Sequence, residues 1–245
     1  MVKLQQVSHS KKIHFLSDGF LIKGTLHLPS VECPPVVIGA HGLLSSSDSP
    51  KQRELAIRCN EFGLAFFRFD HRGCGASQGY FPEVTSLETR ANDLLSAVRT
   101  IRSRKDTGHS LGLFGSSMGG TACLAVARKV GADALVTYAA PIRSRTINRL
   151  PEGAGSAAAV LSPIGGTNLQ FNISDHLKGI YNILIFHGDA DEIVPFSSAE
   201  EIFNNAGEPK KLIQQKQGDH PMGRKSHQTE FIREAVRWFV SGLAP

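Results

Sequence analysis

The chain has 245 residues, 41% hydrophobic and 20% charged, with 24 glycines and 12 prolines. That composition fits one ordinary globular domain and excludes collagen-like, low-complexity and disulfide-stapled miniprotein classes. Its 27 Lys and Arg against 22 Asp and Glu leave a formal net charge of +5, scattered along the chain without an interleaved basic–aromatic stripe, so nucleic acid is not an expected partner.

No run of about 18 apolar residues offers a membrane span, and no apolar stretch follows Lys3 as a secretory leader requires, so a cytoplasmic protein is expected. Cys33, Cys59, Cys74 and Cys123 lie far apart with no Cys-x-x-Cys pair. They read as small buried hydrophobes or exposed thiols, and no metal or redox couple is expected.

In chain order, Lys12–Ser17 and Phe20–Leu28 are β-rich and flank a Ser17-Asp18-Gly19 turn, which predicts an antiparallel hairpin. Val36-Val-Ile-Gly-Ala40 is a short continuous apolar run, the mark of a strand covered on both faces. A helix is predicted over about 50–62, then a strand over 64–69. Leu87, Ala91, Leu94, Leu95, Val98 and Ile101 recur at helical spacing within 86–102. Arg99, Arg102, Arg104 and Lys105 gather at that helix's end, where cations complement its dipole. Strands follow at 111–114, 134–139, 182–186 and 211–215, with helices at 118–130, 197–205 and 228–240. Antiparallel strands followed by repeated β–α alternation predict a single α/β domain over 1–245. Its core is one open, mostly parallel twisted sheet of eight strands, with helices on both faces.

The stretch from about 141 to 181 is longer than a strand–helix–strand connection needs, and contains Gly153-Ala-Gly-Ser-Ala-Ala-Ala and Gly165-Gly166. It reads either as a small lid-like insertion or as a plain helix with a surface loop. Arg143, Arg145 and Arg149 at its start are read either as a solvated helix face or as a recognition point for an acidic substrate group.

Gly115-Ser-Ser-Met-Gly119 matches G-x-S-x-G, in which a strand turns sharply into a helix and presents the serine hydroxyl. Glycine holds 24 of 245 positions, so a chain of this composition meets the bare pattern by chance roughly one time in five. The context adds weight: Leu111-Gly-Leu-Phe runs into the motif and an Ala-rich helical segment leaves it. A serine hydroxyl needs a base, usually His held by a carboxylate. Two downstream segments qualify, His187-Gly-Asp-Ala-Asp-Glu-Ile-Val-Pro195 and Gly218-Asp-His220, each ending a predicted strand. Asp70–Ser77 carries Gly73 and Gly75 but lacks both G-x-G-x-x-G and a following Lys-Ser/Thr. It therefore reads as a supporting turn and not a phosphate loop.

Five landmarks in this order resemble the α/β-hydrolase superfamily: His41-Gly42, Asp70–Ser77, the Ser117 turn, His187–Pro195 and Gly218–His220. Carboxylesterases and dienelactone-hydrolase-like proteins are the nearest in likeness, and the resemblance spans nearly the whole chain. It implies Ser117 as nucleophile, His220 as base and Asp191 as the orienting acid, with Asp189 the rival. The oxyanion donors it implies are the N–H groups of Met118 and Leu43, while His41, His71 and His187 hold loops. It further implies no cofactor or metal, a small-molecule acyl substrate and a small insertion in place of a large cap. The expected activity is cleavage of a carboxylic ester through an acyl-enzyme. Thioesterase, peptidase and C–C hydrolase chemistry on the same three residues stay open, as does a non-catalytic binding protein with this fold.

Overall fold

Side-chain alternation decides which residues of the sheet face which helices. In neighbouring strands Val37 and Phe66 point to one side and Ile38 and Phe67 to the other, all fully buried, as a period of two demands of a sheet covered on both faces. The fold is that of a computed structural model, which describes residues 9–144 and 169–243. The strands are β1 (His9–Ser17), β2 (Phe20–Leu28), β3 (Val36–Ala40), β4 (Ala65–Phe69), β5 (Leu111–Ser116), β6 (Ala134–Tyr138), β7 (Ile183–Gly188) and β8 (Lys210–Gln215). The helices are α1 (Pro50–Glu61), α2 (Phe81–Val84), α3 (Leu87–Arg102), α4 (Met118–Val130), α5 (Ser197–Asn205) and α6 (Lys225–Gly242).

The strands form one eight-stranded sheet in the order β1-β2-β4-β3-β5-β6-β7-β8. β1–β2 and β2–β4 are antiparallel and the remaining pairs parallel. This is the α/β-hydrolase architecture expected from the sequence, including its antiparallel N-terminal hairpin. α3, α4 and α5 pack on one face around Leu94, Cys123 and Ile202. α1 and α6 cover the other around Leu55, Phe231 and Phe239. Phe231 meets the rings of Phe114, Phe186 and Tyr138 at 5.5, 5.1 and 6.1 Å between centroids. Burying such a ring contributes about 2–3 kcal/mol, and it anchors the start of α6 just beyond His220.

Local signals set the helix ends. Ser86 Oγ accepts from Thr89 N at 3.0 Å while Thr89 Oγ1 accepts from Ser86 N at 2.9 Å, a reciprocal cap that starts α3. Gly131, at φ +56°, closes α4 in the left-handed conformation. The basic cluster after α3 is engaged: Arg102 donates to Val130 O at the end of α4, and Arg104 pairs with Asp106.

β1 begins three residues before the predicted strand and α6 runs from 225, earlier than the pattern suggests, since exposed ends carry no apolar period. The short α2 and a 3-10 turn at Ser174–His176 carry no periodic signal either. Residues 145–168 of the 141–181 insertion, with Arg145 and Arg149, lie outside the described residues. Arg143 lies within them, and its guanidinium forks onto Glu201 at 2.7 and 2.6 Å.

β3 is the point at which the chain reverses direction across the sheet: β4 lies on one side and β5 on the other. Open α/β sheets bind ligands in the crevice that such a reversal opens beyond the strand carboxyl ends. Ala40 pairs with Gly115 in register, so the loop after β3 and the turn after β5 leave the sheet side by side.

Candidate active site

Ser117 stands between the last residue of β5 and the first of α4, with φ +52° and ψ −124°. A non-glycine backbone in that region costs about 1–3 kcal/mol, here offset by the strand and helix that fix both neighbours and by Ser117 N donating to Tyr138 O at 2.8 Å. The turn requires glycine at 119. A Cβ there would collide with the carbonyl oxygens of Ala40 and His41, so the bare backbone lets α4 press against the loop after β3.

His220 follows β8 and faces Ser117. Its Nε2 lies 3.1 Å from Ser117 Oγ, and its Nδ1 lies 2.7 and 3.0 Å from the two carboxylate oxygens of Asp191. With Nδ1–H donating to the carboxylate, Nε2 is left as the acceptor for the serine hydroxyl proton. Asp191 comes from the loop after β7, and β7 pairs with β8, so Asp191 and His220 follow adjacent strands. Glycine at 188 permits this, since a Cβ would run into the backbone of Gly218, and Ala190 N donates to Gly218 O at 3.1 Å across the two loops.

The Asp191 side chain is fully buried. Burial alone would raise its pKa, but hydrogen bonds from His187 and His220 and from the backbone outweigh it and hold the carboxyl well below the usual carboxylate range. Ile193 N and Val194 N donate to Oδ1 at 2.9 and 2.8 Å, and His187 Nε2 lies 3.4 Å from Oδ2. Asp189, the rival, accepts from Gln214 Nε2 and Gln217 N and so braces β8.

Two further side chains hold the His220 loop, and neither stands out in the sequence. Tyr138 Oη donates to Asp219 O at 2.6 Å, with burial pushing the phenol pKa well up so that it stays a donor. Lys51 Nζ donates to Pro221 O at 2.8 Å and lies 5.1 Å from the Tyr138 ring centroid. Residues 219 and 221 are thus gripped on both sides of the imidazole.

Gly42 lies against Ser117: a Cβ on it would stand 3.5 Å from both Ser117 Cβ and Ser116 O. The loop that carries Leu43 therefore runs directly against the serine. His41 supports the loop, its Nδ1 donating to Gly42 O at 2.8 Å and its Nε2 accepting from His71 N at 3.1 Å. Burial first, then the neighbouring His71 and the charge of Arg90, pulls its pKa well down and keeps it neutral. Asp70 accepts from Ser47 N and Ala76 N, and Arg72 reaches Asp93, Ser17 and Asp18, so the Asp70–Ser77 segment ties loops together. Among the described residues no group of three or more His, Cys, Asp or Glu side chains is arranged to hold a metal ion. Nor is any helix there long and apolar enough to cross a membrane.

The family model for serine aminopeptidase, S33, matches residues 33–178, more than half of the chain. The chain belongs to the S33 serine aminopeptidase family of α/β hydrolases. This S33-family chain is 28% identical over 243 residues to the uncharacterized protein YfhR of Escherichia coli O157:H7, a match covering 93% of this chain and 79% of that one. It is 27% identical over 217 residues to the mitochondrial palmitoyl-protein thioesterase ABHD10 of Mus musculus, covering 78% and 71% of the two chains. Among solved structures, Est1E from Butyrivibrio proteoclasticus with ferulic acid bound matches with a TM-score of 0.78 at 19% identity. That match covers 95% of this chain and all of the other, and it speaks for the fold alone.

Proposed function

We propose that this S33-family chain is a serine hydrolase that cleaves carboxylic esters of small or medium acyl groups. The observation that carries the reading is the continuous hydrogen-bonded path from Ser117 Oγ through His220 to the buried Asp191, at 3.1 and 2.7 Å. Ser117 Oγ attacks the acyl carbonyl carbon while His220 Nε2 takes its proton. Asp191 fixes the imidazole tautomer and stabilises the imidazolium. The N–H groups of Leu43 and Met118 receive the developing oxyanion. The imidazolium then protonates the leaving alcohol, the carbon–oxygen bond breaks, and an acyl-enzyme remains. Water, deprotonated by His220, attacks it and releases the acid with Ser117 restored.

Thioester cleavage on the same residues is the second reading, favoured by the match to a palmitoyl-protein thioesterase over most of the chain. One experiment separates the possibilities. A panel of p-nitrophenyl esters from acetyl to palmitoyl, matching acyl thioesters and aminoacyl p-nitroanilides is offered to the native protein, with fluorophosphonate labelling in parallel. The expected result is labelling at Ser117 and the highest kcat/KM on short or medium esters. A higher kcat/KM on thioesters moves the substrate class, and native protein that neither labels nor turns over any member removes the hydrolase reading.

A further inference from the structure

Arg90 takes no part in the proton path, yet it is among the largest fully buried side chains, with 1% exposure. It projects from the inward face of α3 toward the loop after β3. Its Nη1 donates to His41 O at 3.1 Å and to Gly42 O at 3.4 Å, and its Nη2 to Leu43 O at 3.0 Å and Cys74 Sγ at 3.6 Å. Its Nε finds no partner among the described residues. Asp93, one turn along α3, is engaged by Arg72 and lies 3.4 Å from His71. Burial pulls the Arg90 pKa below its ordinary value, but a guanidinium remains charged. A buried cation held by three carbonyls and a thiol, with no carboxylate among the described residues hydrogen-bonded to it, is costly, and Leu or Met would fill the same space without that cost.

The geometry gives the cost a purpose. In a trans peptide the N–H points opposite to the C=O. Gly42 O and Leu43 O turn toward Arg90, so the N–H groups of Leu43 and Leu44 turn away from it, while Gly42 backs onto Ser117. We propose that Arg90 is the positioning residue of the oxyanion loop, fixing the Leu43 peptide so that its N–H meets the oxygen of a tetrahedral intermediate on Ser117. Its charge, behind the carbonyl end of that peptide, also polarises the N–H toward the developing negative oxygen. The inference rests on the serine-hydrolase reading.

The test uses the full chain with Arg90→Met and Arg90→Lys, p-nitrophenyl butyrate as substrate, and phenylboronic acid, whose tetrahedral serine adduct carries an oxygen where the oxyanion forms. Rates are normalised to sites titrated to completion with a fluorophosphonate, and thermal melts are recorded beside them. Arg90→Met is expected to lower kcat by about 10²-fold, the size of losing one oxyanion donor, with KM within about threefold. Phenylboronate affinity falls with kcat, and Arg90→Lys, which keeps the charge without the three-point fork, lies between. If kcat and boronate affinity both stay within about threefold of the parent, the inference is overturned, whatever the melting temperature does. Loss of kcat without loss of boronate affinity also overturns it. Should Arg90→Met fail to fold, the same two quantities measured on Arg90→Lys decide. A parent protein that neither labels nor turns over ester removes the hydrolase reading, and the inference falls with it.

Discussion

Replacing Asp191 by Asn keeps the shape of the side chain and removes its charge. Oδ1 of Asp191 accepts from two backbone N–H groups at 2.9 and 2.8 Å, while Oδ2 faces His220 Nδ1 at 2.7 Å. The asparagine oxygen keeps the two backbone donors, which leaves its NH2 group pointing at Nδ1. Two donors cannot share that space, so the imidazole adopts the tautomer with hydrogen on Nε2. That nitrogen then donates to Ser117 and cannot take its proton. In serine hydrolases built this way the wrong tautomer lowers kcat by about 10⁴-fold, equivalent to about 5 kcal/mol of transition-state stabilisation. Asp189→Asn removes only contacts to Gln214 and Gln217 on the far side of the loop, and its expected loss is under about tenfold. The assay is steady-state hydrolysis of p-nitrophenyl acetate and butyrate by both variants, with far-ultraviolet circular dichroism to check that each is folded. A folded Asp191→Asn within about tenfold of the parent, or a larger loss for Asp189→Asn, would falsify the assignment.

Ser117→Ala and His220→Ala should each lower kcat by several orders of magnitude, and the double variant should be hardly worse because the two act as a unit; multiplicative losses in stopped-flow ester assays would contradict this. Gly119→Ala drives a Cβ into the carbonyls of Ala40 and His41 and is expected to cost more than about 3 kcal/mol in urea denaturation, so parental stability would show that the close approach is absent. Burial, only partly opposed by Asp93, lowers the His71 pKa from 6.5 to about 4. Because the unfolded chain binds this proton first, stability is full above pH 6.5 and falls as pH drops toward 4, by on the order of 3 kcal/mol from this group. Urea midpoints that hold steady or rise between pH 7 and pH 4.5 would refute that account.

The elements of the sheet and its helices were legible because each advertises itself locally. Val36–Ala40 is apolar throughout as a doubly covered strand must be, and α3 repeats its apolar residues at 3.6. The G-x-S-x-G turn belongs partly to the same class: a Cβ at Gly115 would strike Gly119 and Gly120 within the motif itself, whereas Gly119 is demanded by Ala40 and His41 far upstream. The order Ser117, Asp191, His220 was visible for a related reason: each lies just past a strand end, where an open α/β sheet gathers its reactive groups.

Other features depend on contacts between residues far apart in the chain. Asp189 and Asp191 sit two positions apart in one turn, and only the pairing of β7 with β8 turns Asp191 toward His220 and Asp189 toward Gln217. The grip of Tyr138 and Lys51 on the His220 loop joins residues more than 80 positions apart. Arg90 left a trace, a charge on the stripe that also holds Leu87, Leu94 and Ala97, but periodicity records that a side chain is buried and not what it touches. Its three carbonyl partners, nearly 50 residues upstream, are brought to it by the strand order β4-β3-β5. That order follows from which faces must be covered across the whole sheet, a condition no single segment of the sequence contains.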